Sequence, residues 1–184
     1  IGGAPEQPLG TRVHRDDVEA LRRQVGGHPA RRLFEVPRES HDRHVLDVSE
    51  SVDLDACRGA LTKMRAFSKS LRAGDSESHY CFAGHARPID PKTFDKDLET
   101  WQARQTESAF RKDSRLGDAL MSARMTFPAG KVKRLILYSD GQETEGNLHS
   151  ALDTLKKEQI AVDFDRLKGV QKPEASVISL TSPT

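Results

Sequence analysis

The run "RLILYSD", Arg134 to Asp140, constrains this chain more than any other stretch. It is nearly all apolar, so as a strand it must be covered on both faces, which is the condition of a central strand in a parallel sheet. Such a sheet needs helices on both sides, and the flanking sequence supplies them. "RHVLDV" is a short β-rich run, after which Leu54, Cys57, Leu61, Met64, Phe67 and Leu71 recur at helical spacing until Gly74. "SHYCFAG", Ser78 to Gly84, reads as another strand, and "ARPI" as a short edge strand where Pro88 is tolerable. Residues 92–113 are polar and weakly helical, with Trp101 as a partial core anchor. Leu116, Ala119, Leu120, Ala123 and Phe127 share one helical face, stopped by Pro128 and Gly130. Leu148, Ala151, Leu152 and Leu155 form a further amphipathic helix, and "IAVDFDRL" a further strand. Strands alternating with helices predict an α/β fold with a doubly wound, mostly parallel sheet.

Three segments follow from this pattern. Residues 1–38 form an N-terminal appendage, with a short helix around Arg15 to Val25 and a candidate strand "RRLFEV" ended by Pro37. Residues 39–168 form the main domain, and residues 169–184 a linker entering a following β segment, "ASVISL". A chain of 184 residues suits one domain plus such appendages. The formal net charge of +1 argues against a nucleic-acid binder. Cys57 and Cys81 are too few for a disulfide scaffold, lack paired zinc spacing and fall at apolar positions, as buried free thiols do. No apolar run approaches the ~18 residues that span a bilayer, and no signal peptide is visible. The seven histidines show no metal pattern: His41 and His44 flank the first strand and His79 and His85 the second, as exposed or edge positions. "KVKR", Lys131 to Arg134, is expected to be a solvated loop entering a strand from the opposite end of the sheet.

Ligands of open α/β sheets bind outside the carboxyl ends of the strands, near the switch point. Asp47 closes the first regular strand and Asp140 closes the strongest one, so both carboxylates are expected at one edge. Ser49 and Ser51 lie in the loop after Asp47, and Ser114 at the start of the helix near Leu116. Two carboxylates and three hydroxyls make a hard, all-oxygen set of the kind that suits Mg²⁺, which takes about six oxygens at ~2.0–2.1 Å. Each residue alone has a plainer role. Ser49 or Ser51 would cap the following helix, Asp140–Gly141 would be an ordinary turn, and Ser114 would cap its own helix. Their joint order and spacing favour the metal site, with which capping can coexist.

"DVSES", "SRLGDAL" and "LYSDGQETEGN" together resemble the von Willebrand factor type A domain. They correspond to its Asp-x-Ser-x-Ser motif, its threonine-containing loop before a Gly-x-Ala-Leu helix, and its Ser-Asp-Gly turn, which constitute the metal-ion-dependent adhesion site. "SDGQETEGN" and "SVISL" are further similar to bacterial membrane proteins in which such a domain sits near transmembrane helices. The resemblance implies a Rossmann-like fold whose last helix and strand this chain would lack unless its flanks supply equivalents. It implies Ser49 and Ser51 as direct hydroxyl ligands of Mg²⁺ (or Mn²⁺ or Ca²⁺) and Ser114 in the threonine position. Asp47 and Asp140 would hold coordinating waters. Ser114 keeps the hydroxyl but loses the methyl that restricts the rotamer of threonine. The implied partner is a protein presenting an acidic residue to the metal, and the implied setting is a soluble domain of a membrane-anchored bacterial protein. The loops at Asp53, Arg115 and Gln142 to Asn147 would set specificity, with Glu143 and Glu145 inviting basic residues on the partner.

Three functions compete. The first is this adhesion or scaffold module, which performs no chemistry. The second is a Mg²⁺-dependent phosphatase of haloacid-dehalogenase type with Asp47 as nucleophile, but the general acid such an enzyme needs two residues later is Ser49, a hydroxyl that cannot serve at neutral pH. A serine hydrolase lacks its Gly-x-Ser-x-Gly elbow. The third is a structural domain whose metal site is vestigial.

Overall fold

The computed structural model describes residues 39–104 and 109–170, so the helix and strand expected within residues 1–38 and the segment "ASVISL" lie outside the described residues. The elements follow in the order β1 (Ser40–Asp47), α1 (Leu54–Ser68), β2 (Ser76–Phe82), β3 (Ala86–Pro88), α2 (Asp95–Arg104), a 3₁₀ turn (Ala109–Arg111), α3 (Leu116–Arg124), β4 (Val132–Ser139), α4 (Leu148–Lys157) and β5 (Ala161–Arg166). They form one five-stranded sheet in the order β3-β2-β1-β4-β5. β1 pairs in parallel with β2 and β4, β4 pairs in parallel with β5, and only the short edge strand β3 runs antiparallel, on β2.

Alternation along the central strands splits the core in two. Val45, Leu135 and Leu137 face α3 and α4, packing with Leu116, Leu120, Leu152 and Leu155. Leu46, Ile136 and Tyr138 face the other way, onto Leu61 and Met64 of α1 and Leu98 of α2. "RLILYSD" is thus buried from both sides, as its composition demands. Trp101 is half-buried against Phe94 and Phe110, with ring centroids 5.7 and 6.2 Å away.

The structure corrects several expectations. β1 begins three residues before Arg43, because His41, Asp42 and Arg43 are buried polar residues that an apolar pattern cannot reveal. His41 and His44 lie within β1, and His44 is fully buried rather than exposed. "KVKR" is not a loop: Val132 to Arg134 open β4, and Arg134 donates to Asp163 on β5 at 2.5 Å. α3 stops at Arg124, leaving Phe127 in the following turn, where it still packs on the core.

Cys57 and Cys81 are buried free thiols. Burial, above all, pushes Cys57 up to about 12 and Cys81 up to about 11. The thiolate is the reactive form, so neither is expected to react with Ellman's reagent in the native protein at pH 8, while both titrate after denaturation. Rapid native labelling of either would show that its side of the core is open.

Candidate metal centre

The sheet order reverses between β1 and β4, and the crevice beyond their carboxyl ends is where such folds bind ligands. Asp47 ends β1, and Asp140 directly follows β4. Asp47 is fully buried, and both of its oxygens are engaged: Oδ1 accepts from the Ser49 N–H at 2.9 Å and Oδ2 from the Ser139 hydroxyl at 2.7 Å. The Ser139 hydroxyl accepts in turn from the Gly141 N–H at 3.0 Å. Gly141 has φ 85°, so the sharp turn after Asp140 depends on glycine.

The hydroxyls of Ser49 and Ser51 lie 2.9 Å apart. Neither caps α1, whose cap is Asp53, accepting from the Asp55 and Ala56 N–H groups at 2.7 and 3.4 Å. Ser114 does not cap α3 either: the cap position is Arg115, without a side-chain hydrogen bond. The Ser114 N–H donates to the Thr144 hydroxyl at 2.8 Å and its carbonyl accepts from the Thr144 N–H at 2.9 Å, yet its own buried hydroxyl oxygen has no partner. Asp140 Oδ1 accepts from the Gln142 N–H at 3.0 Å, while its buried Oδ2 has none. The plain capping roles are therefore taken by other residues, and the five oxygen-bearing side chains converge on one edge.

Burial also shapes the charges. It pushes Asp47 up to about 6, against the hydrogen bonds from Ser139 and Ser49. Burial likewise raises Asp140, opposed by the Gln142 N–H. Two desolvated carboxylates and orphaned oxygens are what a bound divalent cation would neutralise. Buried polar atoms without partners are rare and cost about 1–3 kcal/mol each. The donor set is oxygen only, so the residues present fit Mg²⁺, Mn²⁺ or Ca²⁺.

Further residues shape the site through the backbone. Arg111 donates from Nε to the Val48 carbonyl at 2.7 Å and from a terminal nitrogen to the Ser49 carbonyl at 3.1 Å, which clamps the loop after β1. Glu143 accepts from the Gly117 N–H at 2.7 Å and the Leu148 N–H at 3.0 Å, joining the first turns of α3 and α4. It is occupied by backbone, and Glu145 pairs with Arg115 at 2.5 Å. The chain after β5 returns across the loop: the Asp53 N–H donates to the Lys168 carbonyl at 3.1 Å and the Val170 N–H to the Ser51 carbonyl at 2.7 Å. A Cβ at Gly169 would stand 3.1 Å from Asp140 Oδ2, so a larger residue would press this strap against the Asp140 carboxylate. The result is a cleft of about 950 Å³, with Ser49, Ser51 and Ser114 in its wall and exposed Lys112, Arg166 and Lys168 at its rim.

No protein-family model matches this sequence, and a search of curated proteins finds no match. Solved structures do resemble it. An aerotolerance-related membrane protein from Bacteroides fragilis superposes with a TM-score of 0.55 at 18% identity, over 78% of this chain and 77% of that one. The conserved hypothetical protein BatB from Bacteroides thetaiotaomicron gives a TM-score of 0.52 at 21% identity, over 68% of this chain and 65% of that one. At such identities the likeness is one of fold, a five-stranded, mostly parallel α/β sheet of the doubly wound kind that the sequence pattern predicts. No described helix is long and apolar enough to cross a membrane.

Proposed function

From a von Willebrand factor type A-like fold, we propose that the domain is a divalent-metal-dependent protein-interaction module, an adhesion or scaffold unit without catalytic activity. Ser49, Ser51 and Ser114 would hold Mg²⁺, or Mn²⁺ or Ca²⁺, through their hydroxyls, and Asp47 and Asp140 would fix its waters. The observation that carries this is the pair of buried, unpartnered oxygens, Ser114 Oγ and Asp140 Oδ2, beside the Ser49 and Ser51 hydroxyls. With neutral hydroxyls as direct ligands the bound cation would keep its attraction for an outside anion, and a carboxylate of a partner protein answers it. Lys112, Arg166 and Lys168 outnumber the one carboxylate among the described residues, Glu50, that lines the cleft with them, and this excess of positive charge suits the same partner, since complementary potentials steer association. Because one of the structural neighbours is by its name an aerotolerance-related membrane protein, we propose that the domain belongs to a membrane-associated bacterial protein.

The phosphatase alternative fits poorly. Asp47 is fully buried and both of its oxygens already accept hydrogen bonds, so neither is exposed to a phosphorus atom in the cleft. A vestigial site would have no reason to keep two buried oxygens without partners.

The test is capture from the host's membrane fraction by the parent domain and by Ser49→Ala/Ser51→Ala, each in Mg²⁺ or EDTA. A partner retained only by the parent in Mg²⁺ is expected. One retained equally in all four conditions would mean that recognition bypasses this site.

A further inference from the structure

The side chains of His44, Glu77 and His79, the first buried and the others half-buried, have no part in the cleft. They lie on neighbouring strands, because the parallel register of β1 and β2 sets His44 beside His79 and Glu77 two residues earlier on the same face. His44 Nε2 is 3.6 Å from Glu77 Oε2, and His79 Nε2 is 3.5 Å from the same oxygen. The three ligand atoms lie within 4.8 Å of one another. All three are buried and none has a hydrogen-bond partner.

We propose that His44 Nε2, Glu77 Oε2 and His79 Nε2 form a second metal site, selective for Zn²⁺ and similar transition-metal cations over Mg²⁺. A tetrahedral ion with nitrogen and oxygen ligands at ~2.0–2.2 Å holds its donors roughly 3.3–3.6 Å apart. The two imidazole–carboxylate separations match that spacing, and they are too long for good hydrogen bonds. Imidazole donors suit zinc, nickel and copper, whereas magnesium and calcium favour oxygen.

The surroundings hold the ligands in place. His44 Nδ1 lies 3.1 Å from the Tyr138 hydroxyl, and its ring stacks on His79 at 5.0 Å between centroids and meets Phe67 of α1 edge-on at 4.8 Å. Glu77 Oε1 accepts from the Ser68 hydroxyl at the end of α1, leaving Oε2 to the imidazoles. Such outer partners fix the orientation of metal ligands. His44 is fully buried, while Glu77 and His79 keep 13% and 11% of their side chains exposed, so the more open side of the cluster is theirs. A plain ion pair fits less well, because burial, with His79 and Arg134 adding, holds His44 down at about 3 and hence neutral.

Such a site would tie the end of α1 to β1 and β2, three residues before Asp47. Its chemistry is independent of the oxygen site, and the experiment keeps the two apart. Metal-stripped, tag-free protein is titrated with Co²⁺ and then Zn²⁺. One equivalent of Co²⁺ with the intense visible bands of tetrahedral coordination is expected, displaced by Zn²⁺ and unaffected by excess Mg²⁺. Glu77→Gln and His79→Ala abolish the spectrum, and Tyr138→Phe weakens binding roughly tenfold. Ser49→Ala/Ser51→Ala and His149→Ala leave it unchanged. Absence of tetrahedral bands in the parent, or equal affinity in parent and Glu77→Gln, would overturn the proposal. The parent spectrum decides even where His79→Ala fails to fold.

Discussion

Asp47→Asn is expected to stabilise the chelated protein at pH 7 and to abolish its response to Mg²⁺. Burial raises the Asp47 carboxyl from the ordinary 3.8 to about 6, so the folded protein binds this proton more tightly than the unfolded chain does. Stability from this group is therefore fully present below pH 3.8 and is lost as pH rises through 6. At pH 7 the loss is about 3 kcal/mol, because each pKa unit is worth ~1.4 kcal/mol. Asparagine is close to isosteric and still accepts from the Ser49 N–H, but it obliges the Ser139 hydroxyl to find another acceptor. A net gain of about 1–3 kcal/mol in EDTA is the expected balance. In the parent, Mg²⁺ at a hundred times its Kd adds about 2.7 kcal/mol by binding only the folded state, and in Asp47→Asn this increment should vanish. Urea denaturation at pH 5 and pH 7, with Mg²⁺ or EDTA, reads all of these terms. A parent whose stability in EDTA changes between pH 5 and pH 7 just as that of Asp47→Asn does, or a variant that responds to Mg²⁺ like the parent, would refute the role given to Asp47.

The place of the candidate oxygen site was legible in the sequence because its two carboxylates stand at the ends of strands whose apolar patterns announce themselves. Leu135 to Tyr138 could only be a central strand, so Asp140 had to emerge at its carboxyl end, and Val45–Leu46 placed Asp47 in the same way. The rest was hidden for a physical reason: apolar periodicity reports burial only when the buried residue is apolar. The first half of β1, Ser40 to His44, is polar in sequence yet largely buried, and its neighbour β2 is half-buried with the same polar character over Ser76 to His79. The three ligands of the proposed second site come from these two runs. His44 and Glu77 are 33 positions apart, and only the register of β1 on β2 brings them together. Arg111 carries no signal in the sequence, and Glu143 reads there as a partner contact, because both act on backbone carbonyls and N–H groups, which carry no residue signature.

Arg43 is the sharpest case of a polar residue that the core depends on, and its removal is expected to cost roughly 3–5 kcal/mol. Its side chain is almost wholly buried on the α3 face of β1. Nε donates to the Ser78 hydroxyl and one terminal nitrogen to the Thr126 hydroxyl, both at 2.8 Å, and the other terminal nitrogen donates to the Thr126 carbonyl at 3.1 Å. The Ala123 carbonyl, in the last turn of α3, accepts from the same guanidinium. The charge thus sits at the negative end of a helix dipole. It also lies 4.4 Å from the Phe127 ring centroid and 5.2 Å from that of Tyr80, within cation–π range of both. Arg43→Ala leaves two carbonyls and two hydroxyls facing a void and removes the guanidinium that fastens the irregular turn after α3 to β1. Arg43→Lys keeps the charge but not the planar fork that reaches several acceptors at once, so it should recover less than half of the loss. The melting temperature of Arg43→Ala is expected to fall by roughly 10 °C or more, with amide exchange rising first in residues 120–127. A loss below about 1 kcal/mol, or faster exchange spread evenly over the sheet, would show that apolar packing alone holds α3 in place.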